Sequence, residues 1–361
     1  MLQMTTTMDP LRIDAQAETD RIVEGIRQTV LIRFRRRGAV VALSGGIDSS
    51  VVAALCARAL GKDRVLALLL PEAESSDESL TLGQTLARSL EIRSVIENIT
   101  PALRAVGCYE RRNAAIRTVV PEFTDGFKAK IVLPDLLDHD RYSLFSLVVQ
   151  SPEGVAKTVR LNLDSYLGIV AATNFKQRVR KMLEYYHADR LNFTVAGTPN
   201  RLEYELGFFV KNGDGAADIK PIAHLYKSQV YQLAEYLGVP EEIQRRAPTT
   251  DTYSLQQSQE EFYFSMPLQK MDYCLFGTNH GISPDELAKV VGLTADQVKR
   301  AYAAIEGKRK AAQYFGADPV VLNTHSDESS SAPARGVEPA PSVPFVQAPD
   351  ILRRNSSFIV E

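Results

Sequence analysis

The sequence predicts an α/β fold, a doubly wound parallel sheet, and three observations carry that expectation. First, strand-like runs recur at 39–43, 65–70, 94–99 and 192–196, and the first of them, apolar and Val-rich, reads as a buried parallel strand. Second, segments with apolar residues at helical spacing lie between them, among them Val51, Val52, Leu55 and Leu60 after the first run. Strands alternating with helices imply a parallel sheet covered on both faces. Third, the first run breaks at Ser44-Gly45-Gly46-Ile47-Asp48-Ser49-Ser50 directly into a helical pattern. Ligands of such sheets bind beyond the C-terminal strand ends, where Ser44 and Pro71 fall.

The turn after the first strand suits a phosphate group. Adjacent glycines allow close backbone approach to an anion, and helix N-terminal amides point at it with the positive end of the dipole. Ser44, Ser49 and Ser50 add hydroxyls. A carboxylate at Asp48 would repel phosphate unless a divalent cation lies between them, as magnesium commonly does. The GxxxxGK[ST] spacing of a Walker A loop is absent, and so is GxGxxG.

The remaining elements follow in order. Residues 10–34 have Ile22, Ile26, Val30 and Phe34 at helical spacing, ending in the basic cluster 33–37, which reads as favourable charge at a helix C-terminus. A helix is expected over 77–90. Residues 101–166 break the rhythm: 128–133, 142–150 and 157–163 are strand-like, and Ser151-Pro152-Glu153-Gly154 would turn the last two into a hairpin. This reads as an insertion carrying a small antiparallel element. Helices are expected over 174–186, 203–209 and 228–237, with a glycine loop over 211–218 and a polar loop over 247–251. Residues 284–314 read as two helices with Ser283 and Thr294 as N-caps. Their pattern also superficially fits a DNA-reading helix-turn-helix, but the near-neutral chain favours a plain helical hairpin. The expected domain therefore spans 10–316, and the Ser-, Pro- and Ala-rich stretch 317–361 reads as disordered.

Composition sets bounds on function. The chain has 361 residues, 45% hydrophobic and 24% charged, with 44 acidic against 42 basic side chains. Such balance offers no bulk attraction to nucleic acid or anionic membranes. No apolar run reaches transmembrane length, and no signal-peptide core is present. Cys56, Cys108 and Cys274 lack metal-ligand spacing and suit a reducing, cytoplasmic compartment.

The string SGGIDSS resembles the PP-loop of the N-type ATP pyrophosphatases. Together with NFKQRVR at 174–180, GTPNRLE at 197–203, FFVKNGDGAADIKPI at 208–222, LYKSQVYQLAEYLGVPEEI at 225–243 and APTTD at 247–251, it makes the chain similar to the ammonia-dependent NAD synthetases. The resemblance implies an adenine nucleotide alpha hydrolase-like fold and an ATP-dependent amide synthetase. Its carboxylate, nicotinic acid adenine dinucleotide, is adenylated with loss of pyrophosphate and then amidated by ammonia. By position, it assigns ATP phosphates to Ser44, Gly45, Gly46, Ile47, Asp48 and Ser49, further ATP contacts to Thr198, Lys227 and Thr249, and Mg2+ to Asp48 and Glu203. It assigns the dinucleotide to Arg178, Lys211, Asp218 and Lys308, with Asp48, Lys227 and Lys211 as the catalytic set. It also implies a homodimer. One alternative is a different carboxylate acceptor, because 101–166 is longer than the corresponding link in the family and Gly307 lacks a side chain expected to touch the dinucleotide; another is a non-catalytic nucleotide-binding homologue, against which the Asp48, Glu203 and Lys227 set argues. With only a helix before the first strand, no fused glutaminase is expected. Free ammonia is the direct nitrogen source, and a separate glutaminase remains an alternative partner. Cys56 sits at a packing position and is a poor nucleophile.

Overall fold

The computed structural model describes residues 9–133, 136, 145–250 and 252–320. The described residues up to 317 form one compact unit. The expected disordered stretch lies, from 321 onward, outside the described residues. Among the described residues are seven strands: β1 (Ala39–Ala42), β2 (Val65–Leu69), β3 (Arg93–Ile96), β4 (Lys128–Val132), β5 (Ser146–Gln150), β6 (Ala156–Arg160) and β7 (Thr194–Val195).

A parallel sheet has the order β3-β2-β1-β7. Ala39 pairs with Val65 on one side and with Thr194 on the other. Strand order therefore reverses beside β1, and the crevice at such a switch point is where doubly wound sheets bind ligands. The pleat sorts β1 between two cores: Ala39 and Val41 pack with Leu55, Val65 and Val230, whereas Val40 packs with Leu66, Val179 and Val195. Burial on both faces explains the apolar runs of β1 and β2, whereas β3 at the sheet edge is largely exposed. Gly38 admits no side chain, because a Cβ there would lie 2.2 Å from the Arg64 carbonyl oxygen. The basic cluster after the first helix, Ala15–Arg27, anchors the far side of the sheet. The Arg37 amide donates to the Asn192 carbonyl at 2.8 Å, and Arg36 Nη1 donates to Asn192 Oδ1 at 2.5 Å.

The expected antiparallel element is present, with order β4-β5-β6. The predicted hairpin is β5–β6, registered Ser146 to Arg160 and turned at Ser151, whose amide donates to Val155 at 2.9 Å. Three helices differ from expectation. Residues before β4 include helices Thr100–Ala105 and Cys108–Arg117, which pack against the helix Leu163–Leu191. That 29-residue helix is far longer than the 174–186 expected from sequence. It begins where the Asn162 side chain accepts the Ser165 amide at 2.8 Å. Its buried residues, from Ile169 to Ala188, are spread around the helix, so no single apolar stripe marks its length.

The helical hairpin is Pro284–Val291 and Ala295–Gly316, and both N-caps form capping boxes as read, Ser283 with Glu286 and Thr294 with Gln297. Leu287, Val298, Ala301 and Ile305 are buried in a core shared with the helix Leu268–His280, so the apolar face of the hairpin is used for packing. Among the described residues no helix is long and apolar enough to cross a membrane. All three cysteines are buried and unpaired, and burial pushes the Cys56 thiol up to about 12, consistent with a packing role.

Candidate active site

A cavity of about 900 Å³ opens at the C-terminal ends of β1 and β7. The loop after β1 forms its floor. Gly45 takes φ +71°, and a Cβ there would meet the Ser79 carbonyl oxygen at 2.5 Å. Glycine is therefore required twice over, by conformation and by space. Gly46 is the N-cap of the helix Ile47–Leu60 and supplies no capping side chain. Amides of the first turn are left facing the cavity, an arrangement that favours anions. The serines hold the loop's shape: Ser44 Oγ accepts from the Gly46 amide at 3.3 Å, and Ser49 Oγ donates to the Gly46 carbonyl at 3.0 Å.

Asn200, 1% exposed, brings two acidic side chains to this loop. Its Nδ2 donates to Asp48 Oδ1 at 3.0 Å, and its amide donates to Glu203 Oε2 at 3.2 Å within a capping box for the helix Arg201–Leu206. Glu203 Oε1 accepts from Gln259 at 3.0 Å. Burial, and then the Asp48 charge, push the Glu203 carboxyl up to about 8. The Lys227 ammonium pairs with Asp48 Oδ2 and is 3% exposed. Burial opposes its charge, but Asp48 and Glu203 outweigh that and raise its pKa above the ordinary lysine value. Lys227 opens the helix Lys227–Tyr236, whose first amides are held by fully buried Asp272: Lys227 N to Oδ1 at 3.1 Å and Ser228 N to Oδ2 at 2.7 Å.

The expected site residues divide clearly. Ser44, Gly46, Ile47, Asp48, Ser49, Arg178, Thr198, Glu203, Lys211, Lys227 and Thr249 all line the one cavity. Gly45 shapes the loop from behind. Asp218 is not on the lining: its Oδ2 accepts the Val195 amide at 2.7 Å and secures β7. Lys308 also lies off the lining, with its Nζ 4.3 Å from the centre of the Tyr263 ring, and burial lowers it to about 8. Lys211 reaches the end of the hairpin, donating to the Tyr314 carbonyl at 2.9 Å, and Arg178 Nε donates to the Lys211 carbonyl at 3.3 Å.

Residue-by-residue reading missed Asn200, Asp272 and Arg246. Arg246 Nη1 donates to the Gly45 carbonyl at 3.3 Å and Nη2 to Ser79 Oγ at 2.8 Å, fastening the floor loop to its neighbour. It also missed an aromatic end, where Phe145 stacks on Tyr166 with ring centres 4.1 Å apart. Asn200 had a visible signal, an Asn three residues before Glu at a helix start.

The donor set can be tested for a divalent cation. Among the described residues no three His, Cys, Asp or Glu side chains gather as a metal-binding group. Two carboxylates beside a phosphate-binding loop nonetheless fit magnesium, which keeps water and phosphate oxygens as its other ligands.

Fold and site together define a nucleotide-handling α/β protein, with an anion-binding helix N-terminus at the switch point of a parallel sheet. The NAD synthase family model matches residues 18–124 and 153–312, and the chain belongs to that family. It is 60% identical over 311 residues to an NH(3)-dependent NAD(+) synthetase of Mesorhizobium japonicum, covering 86% of this chain and 98% of the relative. It is 36% identical to the Thermotoga maritima protein of the same name, covering 71% and 86%. A solved NH3-dependent NAD synthetase of Campylobacter jejuni superposes with TM-score 0.56 at 25% identity, over 86% of this chain and all of that one. The fold is also that of an NMN synthetase of Francisella tularensis, with TM-score 0.59 at 23% identity, over 86% and 100%.

Proposed function

We propose that this chain is an ATP-dependent amide synthetase that converts nicotinic acid adenine dinucleotide to NAD with ammonia, releasing AMP and pyrophosphate. A single observation carries the reading: Asp48, Glu203 and Lys227 meet at the open helix N-terminus of Ile47–Leu60, in one cavity large enough for a nucleotide and a second substrate. Carboxylates are poor electrophiles, so the acceptor must be activated before amidation. A carboxylate oxygen attacks the α-phosphorus of ATP, the bond to the β-phosphate breaks, and the electron pair leaves with pyrophosphate. Ammonia then adds to the acyl carbon, AMP departs from it, and the nitrogen loses a proton.

The residues take roles by position. Ser44, Ser49 and the amides after Gly46 cradle the phosphates. Thr198 and Thr249 add ATP contacts from the loops after β7 and opposite it. Asp48 and Glu203 would hold a magnesium ion, which supplies charge cancellation between crowded phosphates. Lys227 is a buried point charge suited to the departing pyrophosphate. Arg178 and Lys211 face the acceptor, while Asp218 and Lys308 act from behind the wall through Val195 and Tyr263. The reaction uses free ammonia in a cytoplasmic setting, with no glutaminase partner required for turnover.

Pyrophosphate and AMP release are measured with ATP, ammonium and a panel of acids. Turnover is expected with nicotinic acid adenine dinucleotide. Turnover confined to another carboxylate, such as the mononucleotide, overturns the acceptor assignment.

We also infer a homodimer built on the helix Leu163–Leu191, which leaves Leu163, Leu167, Met182 and Tyr186 exposed at 69%, 51%, 60% and 58%. Light scattering is expected to give twice the chain mass, and a monomeric mass rejects the inference.

A further inference from the structure

One wall of the cavity has little structure of its own. Thr249, Gln259 and Phe262 face the cavity, yet among the described residues between 249 and 264 regular structure is limited to a bridge from Thr249 to Ser258 and a π-helical turn, Glu260–Phe264. The segment nevertheless carries Gln259, which holds the Glu203 carboxylate.

The segment is held at Thr252 by the buried Lys176 ammonium, which donates to its carbonyl at 2.8 Å, and at Tyr263 by its bond to the Leu206 carbonyl at 2.6 Å; β4 supplies further bonds. The Ala129 amide donates to Ser254 Oγ at 2.9 Å, and the Leu133 amide donates to the Glu261 carbonyl at 3.0 Å. Lys130 Nζ bonds both carboxylate oxygens of Glu261, at 3.1 and 2.9 Å. Gln257, 3% exposed, donates to the Ile131 carbonyl. Its own carbonyl accepts the Thr250 amide at 3.1 Å. β4 and β5 lie in residues 125–152, which the family match skips. These bonds therefore join added chain to the wall of the site.

We propose that the inserted sheet is a strut holding the wall segment in its ligand-competent arrangement, with Lys130 and Gln257 as positioning residues for ATP. The proposal rests on reading the cavity as the ATP site. Loosening the wall lowers the fraction of competent protein, and apparent affinity falls by that fraction while bound ATP restores the arrangement. The kinetic mark is a raised KM for ATP with kcat kept. A purely structural contribution would instead lower the active fraction and the melting temperature, leaving KM unchanged.

The test uses the full chain as Lys130→Met and Gln257→Leu, with Lys130→Arg as the conservative control. Steady-state kinetics are expected to show KM for ATP raised about fivefold in Lys130→Met and about tenfold in Gln257→Leu, kcat within about twofold of the parent, and near-parental values in Lys130→Arg. Hydrogen–deuterium exchange is expected to rise across 249–263 in ligand-free variants. An unchanged KM, or unchanged exchange in that segment, overturns the proposal. If Gln257→Leu does not fold, Lys130→Met, at a partly exposed ion pair, decides. If the parent protein shows no turnover with any acceptor, the functional reading fails, while the exchange measurement still judges the strut.

Discussion

Asp48→Ala is expected to reduce ATP-dependent pyrophosphate and AMP formation by about a thousandfold or more, with folding retained. The residue opens a helix that is anchored elsewhere, by Val51, Val52 and Leu55 in the core. Its carboxylate makes two contacts, one with the Asn200 amide group and one with the Lys227 ammonium. Lys227 keeps Glu203 as a neighbouring carboxylate, and Asn200 keeps its capping bonds through its backbone N–H and Oδ1, although its Nδ2 loses Asp48 as acceptor. Removing Asp48 also removes the like charge that helps to raise Glu203, so the variant keeps one carboxylate where two are needed to offset crowded phosphates. Asp48→Asn separates charge from geometry. It preserves the size of the side chain, lacks the formal charge, and is expected to be as inactive as the alanine variant. AMP production within tenfold of the parent by either variant, under saturating ATP and magnesium, would refute the role given to Asp48.

The legible part of this molecule was the part governed by local chemistry. Two-faced burial writes strands as plain apolar runs, so β1 and β2 were visible to within a residue or two. Gly45 was legible because only glycine tolerates φ +71° against the Ser79 backbone. N-cap residues Ser283 and Thr294 exposed the helical hairpin. The long helix Leu163–Leu191 was legible only in its middle, because it is touched on several sides and has no single apolar stripe. Asp272 gave no local signal at all: its partners, the amides of Lys227 and Ser228, are more than forty positions away. Asp218 shows the converse. Its place in the FFVKNGDGAADIKPI block suggests ligand contact, yet its carboxylate faces Val195. A motif locates a loop with confidence, but the side chain's direction depends on long-range packing that a local pattern does not encode.

The site's electrostatics are arranged as a competition, and this governs what Lys227 should do. Two acidic groups and one ammonium share a buried space, with Glu203 pushed up to about 8 by burial and by Asp48. Burial and the Asp48 charge both favour the protonated form of Glu203, beside an Asp48–Lys227 pair. A divalent cation seeking both carboxylates must compete with the Lys227 ammonium that pairs with Asp48. Lys227→Met removes that competitor while filling similar volume. Two opposite effects are expected from the one change. Pyrophosphate release should fall by about a thousandfold, because no positive side chain remains to meet the departing phosphates. Binding of magnesium or manganese in the absence of nucleotide should tighten by about tenfold, because Asp48 is no longer paired. Calorimetry on the ligand-free protein reads the second effect independently of turnover. Weaker or unchanged cation binding in Lys227→Met would mean that the carboxylates do not form a shared cation site, even if the catalytic loss were observed. A catalytic loss of less than about tenfold would remove Lys227 from the chemistry and leave it as a partner that positions Asp48.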